Sequence, residues 1–357
     1  MTSLPSPDLF VGSASLLAEE SGAQPDLAAC QTLVSRYGHQ SSAYFNLQDG
    51  VKRFGARGVG FLSYRPVNCL GRVFNFVFAN PVCEPRMRRW LLRAFVHTVP
   101  GRHLFVGVDA AVAADLASLG FRLNEFGTEF SVPLADFSLA GKAKKQLRHA
   151  ANLHHRVPVT VVEQPWQDVD GQAVRALSEA WRQHKAVGSR ELRLLTRPPV
   201  FGDEWGVRKF YAYDTAGQLL GFVFFDPFFE QGKVTGYTAN ILRQDLEHAP
   251  TGLLDYIILT AMQTFQQEGV GRLSLGIAPL HGVQAMAGER RLVRQVAQLL
   301  YRHGNQFYAF KALSYHKTRF RGEETKWYLA TDRSSCFSIA VSALLGTQVL
   351  TLPWARA

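Results

Sequence analysis

Apolar positions along this chain recur with two spacings, and the spacing switches in the same order twice. Residues 26–37 predict a helix. The runs GVGFLSYRPV and VFNFVFANPV, separated by a turn at 68–72, read as a β-hairpin. Residues 84–99 have helical spacing, with Met87, Trp90, Leu91 and Phe95 on one side and Arg86, Arg89 and Arg93 on the other. A short buried strand at 104–108, a helix at 110–119 stopped by Gly120, and extended chain over 121–134 complete the first unit.

The order then repeats. Residues 208–213 and 218–225 predict a hairpin across a turn at 215–217, and 233–241 extends the sheet. Thr251 stands where it would cap a long helix with apolar positions Leu254, Ile257, Ile258, Ala261, Met262 and Phe265. Gly269 ends that helix, and 272–277 is the next strand. Two units of hairpin, helix and strand predict an α/β (α+β) chain of two tandem domains, 23–136 and 137–332. Each is a mixed twisted sheet flanked by helices. A frayed Pro/Ser/Gly-rich stretch, 1–22, precedes them, and an apolar helix lies in 333–357. The repeat is one of pattern, without evident identity between the halves.

Composition narrows the partners. The 357 residues are 47% hydrophobic and 19% charged, which excludes a disordered chain. A formal charge of +10 attracts nucleic acid, anionic lipid or anionic metabolites, and salt weakens that attraction. Cys30, Cys69, Cys83 and Cys336 form no CxxC pair, which points to reduced thiols and a cytoplasmic setting. The start, MTSLPSPDLF, lacks the basic and apolar regions of a secretory signal. Residues 336–352 carry no charge but include Ser338, Ser342, Thr347 and Gln348. They predict a helix that either covers the core or lies in a membrane interface.

Three segments carry chemistry. YRHGNQFYAFKALSYHKTRFRGEETKWYLA places Phe307, Tyr308, Phe310 and Tyr315 among Lys311, Lys317, Arg319 and Arg321. That mixture suits a surface holding a phosphate beside something apolar, or else a solvated basic helix. Helix 141–156, GKAKKQLRHAANLHHR, gathers Lys142, Lys145, His149 and Arg156 on one face, either as an exposed connector or as a phosphate-tracking surface. The hairpin–helix–strand order is that of N-acetyltransferase-type acyltransferases, whose coenzyme A sites use a Gly-rich loop before the long helix. The equivalent loop here, LRQDLEHAPTGLLD, has only Gly252, with a proline and the two carboxylates of Asp245 and Glu247 ahead of it. No coenzyme A or other cofactor is therefore expected. The adjacent His154 and His155 point about 100° apart and lack partner ligands, so no metal is expected either.

The blocks GYTANILRQDLEHAPTGLLDYIILTAMQTFQQEGVGRLSLGIAPL and YRHGNQFYAFKALSYHKTRF resemble the C-terminal catalytic domain of aminoacyl-phosphatidylglycerol synthases, the multiple peptide resistance factors. GKAKKQLRHAANLHHR resembles the basic helix opening that domain's second half. FANPVCEP and FGTEFSVPLADFSLAGK fit its first half, so the resemblance spans 59–330. It implies two tandem N-acetyltransferase-like domains that move an amino acid from aminoacyl-tRNA to a hydroxyl of an anionic lipid such as phosphatidylglycerol. Members usually carry N-terminal transmembrane helices, and this sequence resembles the soluble catalytic part alone. The implied setting is cytoplasmic, peripheral on the inner face of the plasma membrane, with 336–352 as the contact.

Under that resemblance, Arg243 with Lys311 and Lys317 would hold the acceptor phosphate, and Asn240, Arg319 and Lys326 would complete the substrate site. Asp245 and Asp255 are candidates to bind the α-ammonium or to assist proton transfer, with a turn residue and a helix-dipole acid as the plainer readings. His281, just past a strand, is a candidate catalytic group or a structural one. Lys142, Lys144, Lys145, Arg148 and Arg156 would track the tRNA backbone. Two departures stand out. Asn240 occupies the family's Asp position three residues before Arg243, and Glu324–Leu329 reads ETKWYL where the family has Trp-Glu-Pro-Arg-Tyr-Leu. They leave open a soluble small-molecule or peptide acceptor, or a non-catalytic binder of tRNA or membrane.

Overall fold

The computed structural model describes residues 25–56, 58–69, 71–183, 197–304 and 309–332. Predicted features at Phe307, Tyr308, 1–22 and 336–352 lie outside them. Strands β1 (Lys52–Ala56), β2 (Gly60–Cys69), β3 (Arg72–Phe78), β4 (Val82–Cys83), β5 (Arg102–Val108) and β6 (Arg122–Pro133) come from the first half. β7 (Thr160–Glu163), β8 (Arg208–Tyr213), β9 (Leu219–Glu230), β10 (Lys233–Gln244), β11 (Arg272–Pro279) and β12 (Glu323–Thr331) come from the second. They form one 12-stranded sheet ordered β1-β2-β3-β5-β12-β6-β11-β10-β9-β8-β7, with β4 paired to β2.

Each half contains the predicted unit. The β2–β3 hairpin leads through helix α2 (Arg88–Thr98) to β5, which lies parallel to β3. The β8–β9–β10 meander leads through a long helix to β11, parallel to β10. The halves share strands, however. β6 pairs with β11, and β12, the last strand among the described residues, inserts between β5 and β6.

Helices α1 (Leu27–Tyr37) and α3 (Ala110–Ser118) begin where a side chain accepts an orphan backbone N–H. Asp26 accepts from Ala29 and Asp109 from Val112. α1 bridges the halves, packing Cys30, Leu33 and Val34 against Phe61, Val82 and Phe229. The chain after it stays pinned to the second half: Phe229 N–H donates to Gly38 O at 2.8 Å, and Thr238 Oγ1 to Ser41 O at 2.7 Å.

Two sequence expectations change. The basic helix spans only α4 (Lys145–Ala151), flanked by single 3-10 turns at Lys142–Lys144 and Leu153–His155. Only Leu147, Ala150 and Leu153 reach the core, too few to hold a longer straight helix against it. The long helix is α6 (Leu253–Gln267), and its N-cap is Gly252 at φ 93°, not Thr251. A left-handed residue is needed there to turn the chain out of the preceding loop. The remaining α-helices among the described residues are α5 (Gly171–Gln183), α7 (Arg291–His303) and α8 (Phe310–Thr318).

α6 buries Ile257, Ile258, Ala261, Met262 and Phe265 against Phe210, Phe225, Tyr237 and Leu273. Burying a side chain the size of Phe265 contributes about 2–3 kcal/mol. On the sheet's other face α5 buries Val174 and Leu177 against Phe222, Phe224 and Ile241.

Candidate functional site

The site begins with a failure of strand pairing. β10 and β11 pair only over Gly236–Thr238 and Arg272–Ser274, although both run on. Past that point each carries an irregularity. Asn240 is an extra residue between the β9 pairs of Ala239 and Ile241, and the β6–β11 register shifts between Ser274 and Ile277, where Gly276 sits at φ 75°. Bulges bend strands and re-aim side chains. Here they splay β10 from β11 and leave a wedge-shaped cavity of about 120 Å³ between them.

Apolar residues line most of the wedge: Phe45 and Phe78 from the first half, with Leu242, Ile258, Leu275 and Leu313 from the second. Ser41, Asn240, His316 and Lys317 add polar groups. Lys317, at the end of α8, is buried, and its Nζ donates to Ile277 O at 2.8 Å. Burial pushes its ammonium down to about 7, with the Glu129 carboxylate pulling the other way. Glu129 is fixed, accepting from Ser274 Oγ at 2.6 Å and from Trp327 Nε1 at 2.8 Å.

His316 also borders a second, larger cleft of about 600 Å³. Lys145, Gln146 and His149 of α4, the start of α6, and His316 and Arg319 line it. Asp255, buried in the first turn of α6, sits at its base. Arg319 holds it in a fork, Nη1 to Oδ2 at 2.8 Å and Nη2 to Oδ1 at 3.3 Å. His316 Nδ1 is 2.8 Å from Arg319 Nη2 and 3.1 Å from Asp255 Oδ1. It accepts from the guanidinium when neutral and faces the carboxylate as a cation when protonated. Gln146 and Tyr315 hydrogen-bond across from α4 to α8.

Asn240 is anchored from behind. Its Nδ2 donates to Asp226 Oδ2 at 2.8 Å. Asp226 is buried and takes a fork from Arg197, Nη2 to Oδ1 at 2.6 Å and Nε to Oδ2 at 3.1 Å. Arg197 also bonds Glu204, which Lys209 Nζ approaches at 3.2 Å. Four buried charges therefore pair among themselves behind one amide.

The structure brings Asn240, Asp255, Lys317, Arg319 and Lys145 to these two cavities. It does not bring Arg243 there. Leu242 packs on the α6 side, whereas Arg243 is buried with its guanidinium 3.8 Å from the Trp181 ring centroid, on the α5 side. Arg243 and Lys317 thus lie on opposite faces of the sheet and form no joint phosphate clamp. Asp245 closes the loop after β10, accepting from the backbone N–H of Glu247 and His248. Burial opposes its ionisation, but those donors and the His248 ring hold its carboxyl below the usual range.

His281 bonds the Tyr301 hydroxyl through Nδ1 at 3.0 Å, and burial lowers its pKa. Lys326 pairs with Glu125 at 3.3 Å and donates to Gly282 O, tying down the loop after β11. Lys311 is exposed in the first turn of α8. In the basic segment, Lys144 donates to Ser138 O and Arg148 to Leu139 and Gly141 O, so both brace the loop before α4. Arg156 donates to His149 O, and Lys142 is exposed.

Sequence reasoning passed over His316, which sits in the quoted YHKTRF run, and Glu129. It also passed over Asp226, although a single acid inside the buried run LLGFVFFDPFF is a readable signal.

Each half joins two parallel strands of one mixed sheet through a helix, and the second of these pairs is splayed, which makes this a tandem N-acetyltransferase-like fold. The description "Phosphatidylglycerol lysyltransferase, C-terminal" matches residues 31–331, and the chain belongs to that family. The structure of L-PGS from Bacillus licheniformis superposes with a TM-score of 0.72 at 18% identity, over 91% of this chain and 97% of that one. The phosphatidylglycerol lysyltransferase of Bacillus subtilis strain 168 is 23% identical over 69% of this chain and 28% of its own length. That of Staphylococcus xylosus is 22% identical over 86% of this chain and 35% of its own length. The chain therefore spans about a third or less of the curated relatives it matches.

Proposed function

We propose that this protein transfers an amino acid from aminoacyl-tRNA to a hydroxyl of an anionic phospholipid such as phosphatidylglycerol. The observation that carries the reading is the junction at His316 and Lys317, where a wedge with apolar walls adjoins a cleft edged by Lys145, His149 and Arg319. An acceptor with acyl chains suits the first, and a polyanionic donor suits the second.

The reaction exchanges one ester for another. The acceptor hydroxyl oxygen attacks the aminoacyl carbonyl carbon, and the ribose oxygen departs with a proton. Positioning of the two reactants is the main requirement. Lys317, a neutral amine for part of its population near pH 7, accepts the proton from the attacking hydroxyl and returns it to the leaving oxygen. The Asp255–Arg319–His316 cluster orients the aminoacyl group, with Asp255 as counter-charge for its α-ammonium. Asn240, held by Asp226, lines the wedge and fixes its polar edge. Lys145, with Lys142, meets phosphates of the acceptor stem.

The test is incubation with each labelled aminoacyl-tRNA and phosphatidylglycerol vesicles. Label in lipid that alkaline hydrolysis releases is the expected result. Absence of labelled lipid with all twenty amino acids overturns the reading.

A further inference from the structure

Helix α7 is turned inside out. A helix on a globular protein points its apolar stripe at the core. In α7 the stripe points to solvent: Leu292, Val296, Leu299 and Leu300 recur at i, i+4, i+7 and i+8 and are 54%, 38%, 60% and 37% exposed. The inward side is carried by Val293, Ala297 and Tyr301, and the Tyr301 hydroxyl reaches His281 and Ser314 of α8. The fold therefore fixes the rotation of this helix and leaves its greasier face outward.

The charged side chains of α7 are all basic. RLVRQVAQLLYRH contains Arg291, Arg294, Arg302 and His303 and no acid. Arg294 turns inward to Glu289 at 2.7 Å. Arg291 and Arg302 flank the exposed leucines on one side, both exposed, and His303 lies within the stripe at the C-terminal end. Leucines in the middle with arginines at the margin are the composition of a helix lying in the plane of an anionic lipid surface.

We infer that α7 docks this protein on anionic membrane, with Leu292, Val296, Leu299 and Leu300 in the acyl boundary and Arg291 and Arg302 among headgroup phosphates. The occupant is a bilayer rather than a second copy of the chain, because two such faces meeting would also juxtapose their arginines. Docking there places α8, the neighbour of α7, next to the bilayer. α8 carries Leu313 and Lys317 of the wedge, so the acceptor has a short path to the proposed site. The inference rests on the lipid-acceptor reading for its purpose, although not for its physics.

The test uses the full chain with vesicles of phosphatidylcholine alone, or mixed with phosphatidylglycerol in equal parts. Co-sedimentation with the mixed vesicles should exceed that with phosphatidylcholine by about tenfold or more and fall with salt. The L292Q/L299Q double variant changes two exposed side chains and should keep its circular dichroism and melting temperature. It should lose about tenfold or more in binding to mixed vesicles. It should also lose transfer to vesicle lipid while keeping transfer to a short-chain, water-soluble phosphatidylglycerol.

Unchanged vesicle binding by the double variant overturns the inference. So does a dimer in the parent chain that the variant converts to monomer, which would make α7 a self-association face. Loss of all vesicle binding on deletion of 336–352 alone, with α7 intact, overturns it as well. If binding depends on α7 but no lipid is ever aminoacylated, the functional reading fails and the docking surface stands.

Discussion

Asn240 donates its side-chain amide to Asp226 at 2.8 Å, and Asp226 in turn is gripped by Arg197. A neutral residue at 240 fits this buried carboxylate, and an acid there would oppose it. N240D should therefore cost about 1–3 kcal/mol at neutral pH. Two carboxylates in contact share a raised pKa, so the variant binds an extra proton when folded. Its deficit should shrink as pH falls toward 5 and grow as pH rises. Denaturant titrations of parent and variant at pH 5 and 8 check this; a deficit that ignores pH would contradict the pairing.

Lys317 is a buried amine whose pKa lies near 7 in the fold against about 10.4 in an unfolded chain. Between those values the unfolded state binds the extra proton, so stability should rise with pH across that window and flatten above it. K317M should abolish transfer yet raise stability by about 1–3 kcal/mol at pH 6. Transfer by the parent should climb as pH rises through about 7, as a neutral base requires. Guanidinium unfolding and a pH–rate profile measure the two effects separately.

Asp255 carries its charge beside Arg319 and His316 in a nearly dry place. D255A leaves both partners without their anion and should cost about 3 kcal/mol of stability. D255N preserves shape, so its loss of transfer, about 10²-fold, should come with a smaller stability change. Equal activity losses at very different stabilities would separate a functional carboxylate from a merely structural one.

Arg243 and Trp181 stack at 3.8 Å. R243A and W181A should each destabilise by about 1–2 kcal/mol. The double variant should cost less than their sum, because both remove the same contact. Strict additivity in the cycle would show that the stack contributes nothing.

Much of this was legible in the chain. The α6 face shows in Ile257, Ile258, Ala261 and Phe265 because helical spacing is local, and the β2–β3 and β8–β9 hairpins show because their turns are. The destination of Arg243 was not legible, for a physical reason. Alternation from Tyr237 and Ala239 carries Ile241 and Arg243 onto the α6 side, and the one extra residue at Asn240 sends them to the other. Nothing in the run GYTANILRQ announces that bulge. The Asp226–Arg197 pair and the meeting of Glu129 with Trp327 are long-range contacts, and they follow from strand order rather than from spacing.

β12, from residues 323–331, completes the sheet between two strands made long before it. During synthesis β5 and β6 thus wait with bare edges until residue 331 has emerged from the ribosome. Such edges are templates for wrong partners. Ribosome-bound chains stopped short of β12 should engage chaperones and resist compaction, so neither half is a module that evolution or an engineer can cut free at the midpoint of the sequence.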